Sequence, residues 1–217
     1  MRISELSQQS GLPVATIKFY LREGLLPPGK RTARNQADYG NEHLSRLYLI
    51  STLTVVGRLP LSAVRQITAA VDDRGTKLDG LCRVINNALV PLDQEEKAGA
   101  IGTTARKQVD AFVDGLDWSV EPGAPGRSTL TQVLTALRLL GWEDDVDVFT
   151  PYQQAAAQIA SRELDTIPVD ADDEQAAVML VARTVLFEVA WCTLRGMAHE
   201  HIIATRLNEA SKTDDCP

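Results

Sequence analysis

The stretch Val14–Gly40, VATIKFYLREGLLPPGKRTARNQADYG, sets a short amphipathic helix, a Gly-Leu-Leu-Pro-Pro break and a basic segment in immediate succession. Ile17, Tyr20 and Leu21 recur at offsets of three and four, so one face of a helix turns inward and Thr16, Lys18 and Arg22 are left for the outward side. Pro13 suits the first turn of that helix, where a missing backbone N–H costs nothing. Gly24 stops it, Leu25 and Leu26 return to a core, and Pro27-Pro28-Gly29 forces an extended exit. The following GKRTARNQADY carries Lys30, Arg31 and Arg34, with no apolar side chain bulkier than Ala before Tyr39. It reads as a basic loop or a short two-stranded wing.

The flanks extend the pattern. Upstream, Ser4 is placed to cap a first helix with Ile3 and Leu6 inward, and Gly11 can end it in the left-handed conformation. Two short helices joined by a tight glycine-containing turn make a helix-turn-helix. Downstream, Leu44, Leu47, Tyr48 and Ile50 continue a helical period from Asn41 to Val55, with Gly57 as the stop. LPLSAVRQITAAV, residues 59–71, gives a further helix, with Ser62 as candidate cap and Gln66 near the reach of a capping box.

The 217-residue chain carries a net charge of −7, which on its face argues against a polyanionic partner. The average conceals a segregation. Residues 1–68 hold nine Lys/Arg against four Asp/Glu, a balance of +5, and the remainder holds thirteen against twenty-five, a balance of −12. Basic charge is confined to the end that carries the helix-turn-helix, and an acidic body helps restrict nucleic-acid contact to that end. Three widely spaced cysteines, Cys82, Cys192 and Cys216, match a reducing cytoplasm rather than a disulfide framework. No opening stretch has the form of a secretory leader.

ATIKFYLREGLLPP, the basic segment ending at Tyr39, and the two helices ending GRLPLSAVRQI together resemble the N-terminal winged helix-turn-helix of the MerR family of bacterial transcription regulators. The resemblance covers residues 1 to about 70. It implies docking on double-stranded promoter DNA, with the second helix in the major groove and the wing on the backbone, by Thr16, Lys18, Tyr20, Arg22, Lys30, Arg31, Arg34, Asn35 and Tyr39. It further implies a homodimer on an inverted repeat, and a mechanism in which the dimer distorts an overlong promoter spacer so that RNA polymerase can engage. Lys18 stands where the family commonly has Arg, and a lysine lacks the fork that reads guanine bidentately.

Beyond Asp72, Leu78, Cys82, Ile85 and Leu89 form a two-heptad seam, a candidate for dimerisation. Pro91 is expected to end or kink that helix, and Asp93 with Glu96 resembles a fresh N-cap. Val109, Phe112, Val113 and Leu116 mark another stripe. Glu121–Arg127, EPGAPGR, is the natural internal boundary, followed by a helix of Leu130, Val133, Leu134, Leu137 and Leu140 closed by Gly141, and by another from Gln153 to Leu164. Ala176–Met197 is apolar nearly all round. Three charges across it argue against a membrane span and for a central bundle helix or one buried in a dimer.

These features predict an all-α protein with a small β wing: a winged helix-turn-helix domain at residues 1–74, linker and dimerisation helices at 75–120, and an α-helical C-terminal domain at 121–217 for effector binding or dimerisation. Glu188, one turn from Trp191, would be a costly buried carboxylate unless paired, so Glu188, Trp191, Trp142 and Tyr152 form a candidate pocket for an apolar or cationic effector. An ion pair explains the same acid. Cys82 lacks companion thiols for a metal site, and His199 and His201, two apart, do not face together on a helix. No cofactor, metal or catalytic constellation is expected. Two alternatives stand: an effector-independent repressor or architectural protein whose C-terminal part dimerises or docks a partner, and a helical enzyme or adapter with an accessory winged module.

Overall fold

The computed structural model describes residues 1–33, 36–73, 75–89, 100–142, 145–165, 167 and 174–214. The chain forms two compact units, one of residues 1–68 with 178–217 and one of residues 69–177. This division differs from the three blocks expected from sequence. The C-terminal forty residues group with the first helices, and the Pro/Gly stretch at Glu121–Arg127 lies inside a unit rather than between two.

In the first unit, α1 (Ile3–Ser10), α2 (Val14–Arg22) and α3 (Asn41–Ser51) surround a core in which Leu6, Ile17, Leu25, Leu26, Leu47, Ile50 and Leu53 are fully buried. Each contributes roughly 1.5–3 kcal/mol by leaving water. The turns follow the expected chemistry at Gly11 and Gly24, both at φ +71°. The caps do not all follow it. Ser4 lies within α1, and the Glu5 carboxylate instead accepts the Arg2 N–H at 2.9 Å. Ser62 likewise falls inside α4 (Leu61–Asp72), whose first turn begins with the Val64 N–H donating to the Pro60 carbonyl.

α3 ends in a wide turn over Thr52–Val56, where the Gly57 N–H reaches back five residues to the Thr52 carbonyl at 2.9 Å. The Thr54 hydroxyl donates to the Ile50 carbonyl at 2.8 Å, competing with the regular helical bond and helping to open the turn. Arg58 then takes φ +53°, and the Leu59 N–H donates to the Leu53 carbonyl, returning Leu59 to the core. Gly57 is required here for space rather than for backbone freedom. A β-carbon on it would lie 2.5 Å from Val185 Cγ1 on α9 (Glu174–Asp214).

The second unit holds α5 (Leu78–Leu89), α6 (Ala100–Asp114), α7 (Pro125–Leu139) and α8 (Thr150–Leu164), with a short 3₁₀ turn at Val146–Phe149. Ala105, Val109, Val113, Leu134 and Phe149 form its core, flanked by Phe112 and Leu130. Gly141, at φ +83°, follows α7. The connection between α6 and α7 is organised by Arg127, buried at 3 % exposure. Its guanidinium donates to Asp114 Oδ1 at 2.7 Å, Asp110 Oδ1 at 3.4 Å and the carbonyls of Val120, Glu121 and Asp110. Every donor group of the fork is occupied, which is what a buried cation requires. The carboxylate of Asp114, then that of Asp110, raises the Arg127 pKa further above its ordinary value.

On α5 the structure shows which positions of the expected seam are buried in the single chain. The buried face runs through Leu81, Ile85 and Ala88, while Leu78, Cys82 and Leu89 are half-buried at its margin. That apolar surface is already used within a single chain. Continuity past Pro91, and the cap at Asp93 and Glu96, lie outside the described residues.

α9 is 41 residues long and carries the one described span apolar enough, by length and composition, to cross a membrane, Gln175–Glu209. Its first half is buried at Ala176, Leu180, Val181 and Val185, but Leu194, Met197, Ile203 and Leu207 are more than half exposed. It is therefore not a central bundle helix in the single chain.

Two outcomes test these packing assignments. Gly57→Ala should cost about 1–3 kcal/mol through overpacking against Val185, and Gly57→Ala with Val185→Ala should recover part of the loss in urea denaturation. Arg127→Lys should lower the thermal midpoint nearly as much as Arg127→Met, because an ammonium cannot reproduce the planar fork that reaches both helices and the loop.

Candidate nucleic-acid interface

α2 is placed by burial on one side only. Ile17 is fully buried and Tyr20 is 8 % exposed, so the helix is seated by that side, against α1, and Lys18 and Arg22 stand on the exposed surface with Thr16 half-exposed. Arg22 is oriented by two neighbours: its guanidinium lies 5.3 Å from the Phe19 ring centroid, and its Nε is 3.5 Å from Glu23. A cation held over an aromatic face needs less ordering before it meets a phosphate.

Lys30–Ala33 (β1) and Gln36–Asp38 (β2) form an antiparallel pair with Lys30 opposite Asp38 and Arg31 opposite Ala37. The basic segment is thus a two-stranded wing, and Lys30 and Arg31 are exposed on it. Arg34 and Asn35 lie outside the described residues. The base of the wing is clamped. The Tyr39 N–H donates to the Met1 carbonyl at 2.9 Å, the Tyr39 ring meets His43 edge-on at 5.2 Å, and the Gly40 N–H donates to His43 Nδ1 at 3.1 Å.

Two residues expected at the contact surface move to the core. Tyr20 and Tyr39 are both buried to 8 % exposure, so their rings support α2 and the wing rather than face a partner. Conversely, Arg46 has a structural duty that its sequence position conceals. Its Nε donates to the Leu25 carbonyl at 3.0 Å and its Nη2 to the Thr68 carbonyl at 3.3 Å, tying the exit of α2 to α4 through α3. Tyr48 does the same for α1, its hydroxyl donating to the Gln9 carbonyl at 2.9 Å. Only the helical period of α3 hinted at these anchors. The acceptors are main-chain groups more than twenty residues away.

The C-terminal candidate site is not built as burial alone would have it. Glu188 is exposed, and it accepts a hydrogen bond from the Cys192 thiol, Sγ to Oε1 3.3 Å. Trp142 and Tyr152 are 59 % and 52 % exposed, and Trp191 is half-buried. An open groove of about 600 Å³ lies instead along α2, lined by Ala15, Thr16, Phe19 and Tyr20 on one side and Thr54, Leu59, Pro60 and Leu61 on the other. Among the described residues, no three His, Cys, Asp or Glu side chains gather as a metal site would require.

This geometry has counterparts among known proteins. The family of MerR helix-turn-helix regulatory proteins matches residues 1–71. A ZntR homolog, an HTH-type transcriptional regulator of Haemophilus influenzae, is 46 % identical over 50 residues, 23 % of this chain and 37 % of that protein. The regulator AdhR of Bacillus subtilis is 34 % identical over 68 residues, 31 % of this chain and 48 % of its own length. The mercuric resistance operon regulatory protein of Bacillus cereus is 31 % identical over 71 residues, 33 % of this chain and 53 % of its own. The chain therefore spans about half or less of the length of these relatives. Over the whole length it is similar to the crystal structure of SCO5550 from Streptomyces coelicolor A3(2), a candidate transcriptional regulator, with TM-score 0.70 and 34 % identity over 95 % of this chain and 97 % of that one. The fold is that of a winged helix-turn-helix protein, and the proteins it is similar to are transcription regulators. The chain belongs to the MerR family.

The Cys192–Glu188 pair has a measurable consequence. The hydrogen bond to Glu188, helped by desolvation and the carboxylate's charge, raises the Cys192 pKa above its ordinary value. Less thiolate is then present at neutral pH. Cys192 should react slowly with iodoacetamide near pH 7 despite its exposure, accelerate as pH rises, and react faster at fixed pH in Glu188→Gln.

Proposed function

We propose that this chain is a sequence-specific DNA-binding transcription regulator that binds an inverted-repeat promoter operator as a homodimer. The observation that carries the proposal is the one-sided seating of α2: Ile17 and Tyr20 are buried beneath it, while Lys18 and Arg22 project from it, next to a wing that exposes Lys30 and Arg31. A helix held by its inner face and basic on its outer face can enter a major groove, and the wing's cations can then meet phosphates beside it. Arg34 and Asn35 belong to the same proposed contact set by their position in the wing segment. Such DNA contact implies a working protein in the cytoplasm.

Two uses of the bound state follow. In one, the dimer bends and untwists a promoter spacer so that RNA polymerase engages both elements, a deformation whose cost depends on local DNA stiffness. In the other, it blocks the promoter by occupancy. For the C-terminal region, exposure of Glu188 weakens the case for an acid-floored effector pocket and favours dimerisation or protein docking. A thermal-shift panel of apolar and cationic compounds separates the readings, since a ligand binding only the native state at a hundred times its Kd stabilises by about 2.7 kcal/mol.

The decisive experiment is footprinting on DNA upstream of the protein's own gene at two salt concentrations. A protected, twofold-symmetric site between promoter elements with enhanced cleavage at its centre supports the distorting dimer, and protection elsewhere supports occlusion. No specific site there or in a genome-wide selection refutes the proposal. Lys18→Ala with Arg31→Ala should nearly abolish operator binding and flatten the log–log salt slope by about 1.8, roughly 0.9 for each phosphate that is no longer neutralised.

A further inference from the structure

α2 exposes Ala15, Lys18 and Arg22, with Thr16 and Phe19 half-buried beside them and Tyr20 turned into the core. Reading a base pair in the major groove takes donors or acceptors at fixed angles, and the commonest specific contact sets two N–H groups on guanine O6 and N7. On this stripe only Arg22 carries a planar fork. Lys18 offers a point charge, and Thr16 a single hydroxyl. The nine residues of α2 rise about 13.5 Å, against a major groove about 12 Å wide. Arg22, at the end of the stripe, therefore stays within reach of base edges when the helix is docked.

Arg22 is 72 % exposed in its side chain, yet it is held from two sides. Its guanidinium lies 5.3 Å from the Phe19 ring centroid, and its Nε is 3.5 Å from Glu23 Oε1. Glu23 is fixed in turn, because Arg65 Nη2 on α4 donates to its Oε2 at 3.1 Å. α4 is itself tied to the exit of α2 by Arg46, which donates to the carbonyls of Leu25 and Thr68. The ring restricts the guanidinium from one face and the carboxylate holds its Nε edge. Its two Nη groups have no protein partner among the described residues and remain as a pair of donors.

Helix stability does not explain Glu23. A carboxylate at the C-terminal end of a helix opposes the helix dipole, exposed ion pairs contribute little, and a negative charge beside a phosphate-binding surface weakens binding. We propose that Arg22 is the specificity-determining residue of α2, reading a guanine through O6 and N7, and that Glu23 and Arg65 are positioning residues that hold its fork for that contact. The proposal rests on the DNA-binding reading above and names the base chemistry of the same site. Both Glu23 oxygens are engaged by arginines, so Glu23 supports the reader and does not itself read. Ordering a long side chain on binding costs affinity, and an arginine held in advance avoids part of that cost. The benefit falls on base preference, because a phosphate accepts a cation from many directions and a guanine edge accepts a fork from one.

The test uses the full-length protein and a library of double-stranded oligonucleotides of randomised sequence, from which parent and variants each select their sites. The parent should select a site with a fixed guanine, and exchange of that guanine–cytosine pair for adenine–thymine should weaken binding roughly 5- to 150-fold. Arg22→Lys keeps the charge without the fork and should remove that preference. Glu23→Gln decides the positioning role. Removing a negative charge from this surface would by itself tighten binding to every sequence, whereas losing a positioning carboxylate weakens the guanine site relative to its adenine counterpart. Arg65→Lys, whose ammonium can still hold Glu23, should keep more of the parent's preference than Arg65→Ala. Circular dichroism and the thermal midpoint should show every variant folded, since the substituted side chains lie at the surface.

An Arg22→Lys protein that selects the same guanine assigns the reading to another residue, and a loss equal on all sequences assigns Arg22 to a phosphate. Either result overturns this proposal and leaves DNA binding intact. Uniformly tighter binding by Glu23→Gln overturns the positioning role. A parent that selects no sequence overturns the proposal together with the DNA-binding reading.

Discussion

A nine-residue helix does not hold itself in water, because nucleation costs more than so few hydrogen bonds return. α2 exists because Ile17 and Tyr20 are buried beneath it and because its exit is pinned: the Leu25 and Leu26 N–H groups donate to the Tyr20 carbonyl, and Arg46 donates to the Leu25 carbonyl. The rest of the N-terminal unit depends on that seating. If α2 slipped by one residue, Lys18 would be driven toward the core and the wing would lose its fixed relation to the helix. Stability and recognition are thus the two faces of the same short element.

The acidic unit solves a different problem. The described cluster at α6 and α7 is mostly aliphatic, with Phe149 and Phe112 as its rings, and beside it the α6–α7 connection is held by charge. Arg127 is costly to bury, and the cost is offset because two carboxylates and three carbonyls converge on one planar fork. The same residues explain why a stretch with two prolines and two glycines is a tight corner and not a linker. Glu121 adds a tie to α5, its carboxylate 2.7 Å from Arg83 Nη1.

α9 connects the two themes. In its first half it carries the Val185 methyl that makes Gly57 obligatory, and so takes part in the N-terminal unit. Further along, it carries Leu194, Met197, Ile203 and Leu207, more than half exposed among the described residues.

The amino-acid sequence by itself determined the helix-turn-helix, the break after α2, the left-handed stop at Gly11 and the stop at Gly24, and narrowed the basic segment to a loop or a two-stranded wing. These follow from hydrophobic period, glycine conformation and proline geometry over a few residues. It also showed the charge segregation that points the basic end toward DNA. Only the tertiary structure decided which side chains of that surface face outward: Tyr20 and Tyr39 turn inward and Arg46 becomes a staple, because burial and main-chain acceptors are set by elements distant in the chain. For the same reason a heptad count on α5 is one position off the face that is buried, the Pro/Gly stretch is an Arg127-centred corner, and Glu188, in the most apolar segment of the sequence, stands in solvent. Local pattern reports what a helix could bury, and the packing of the whole chain decides what it does bury.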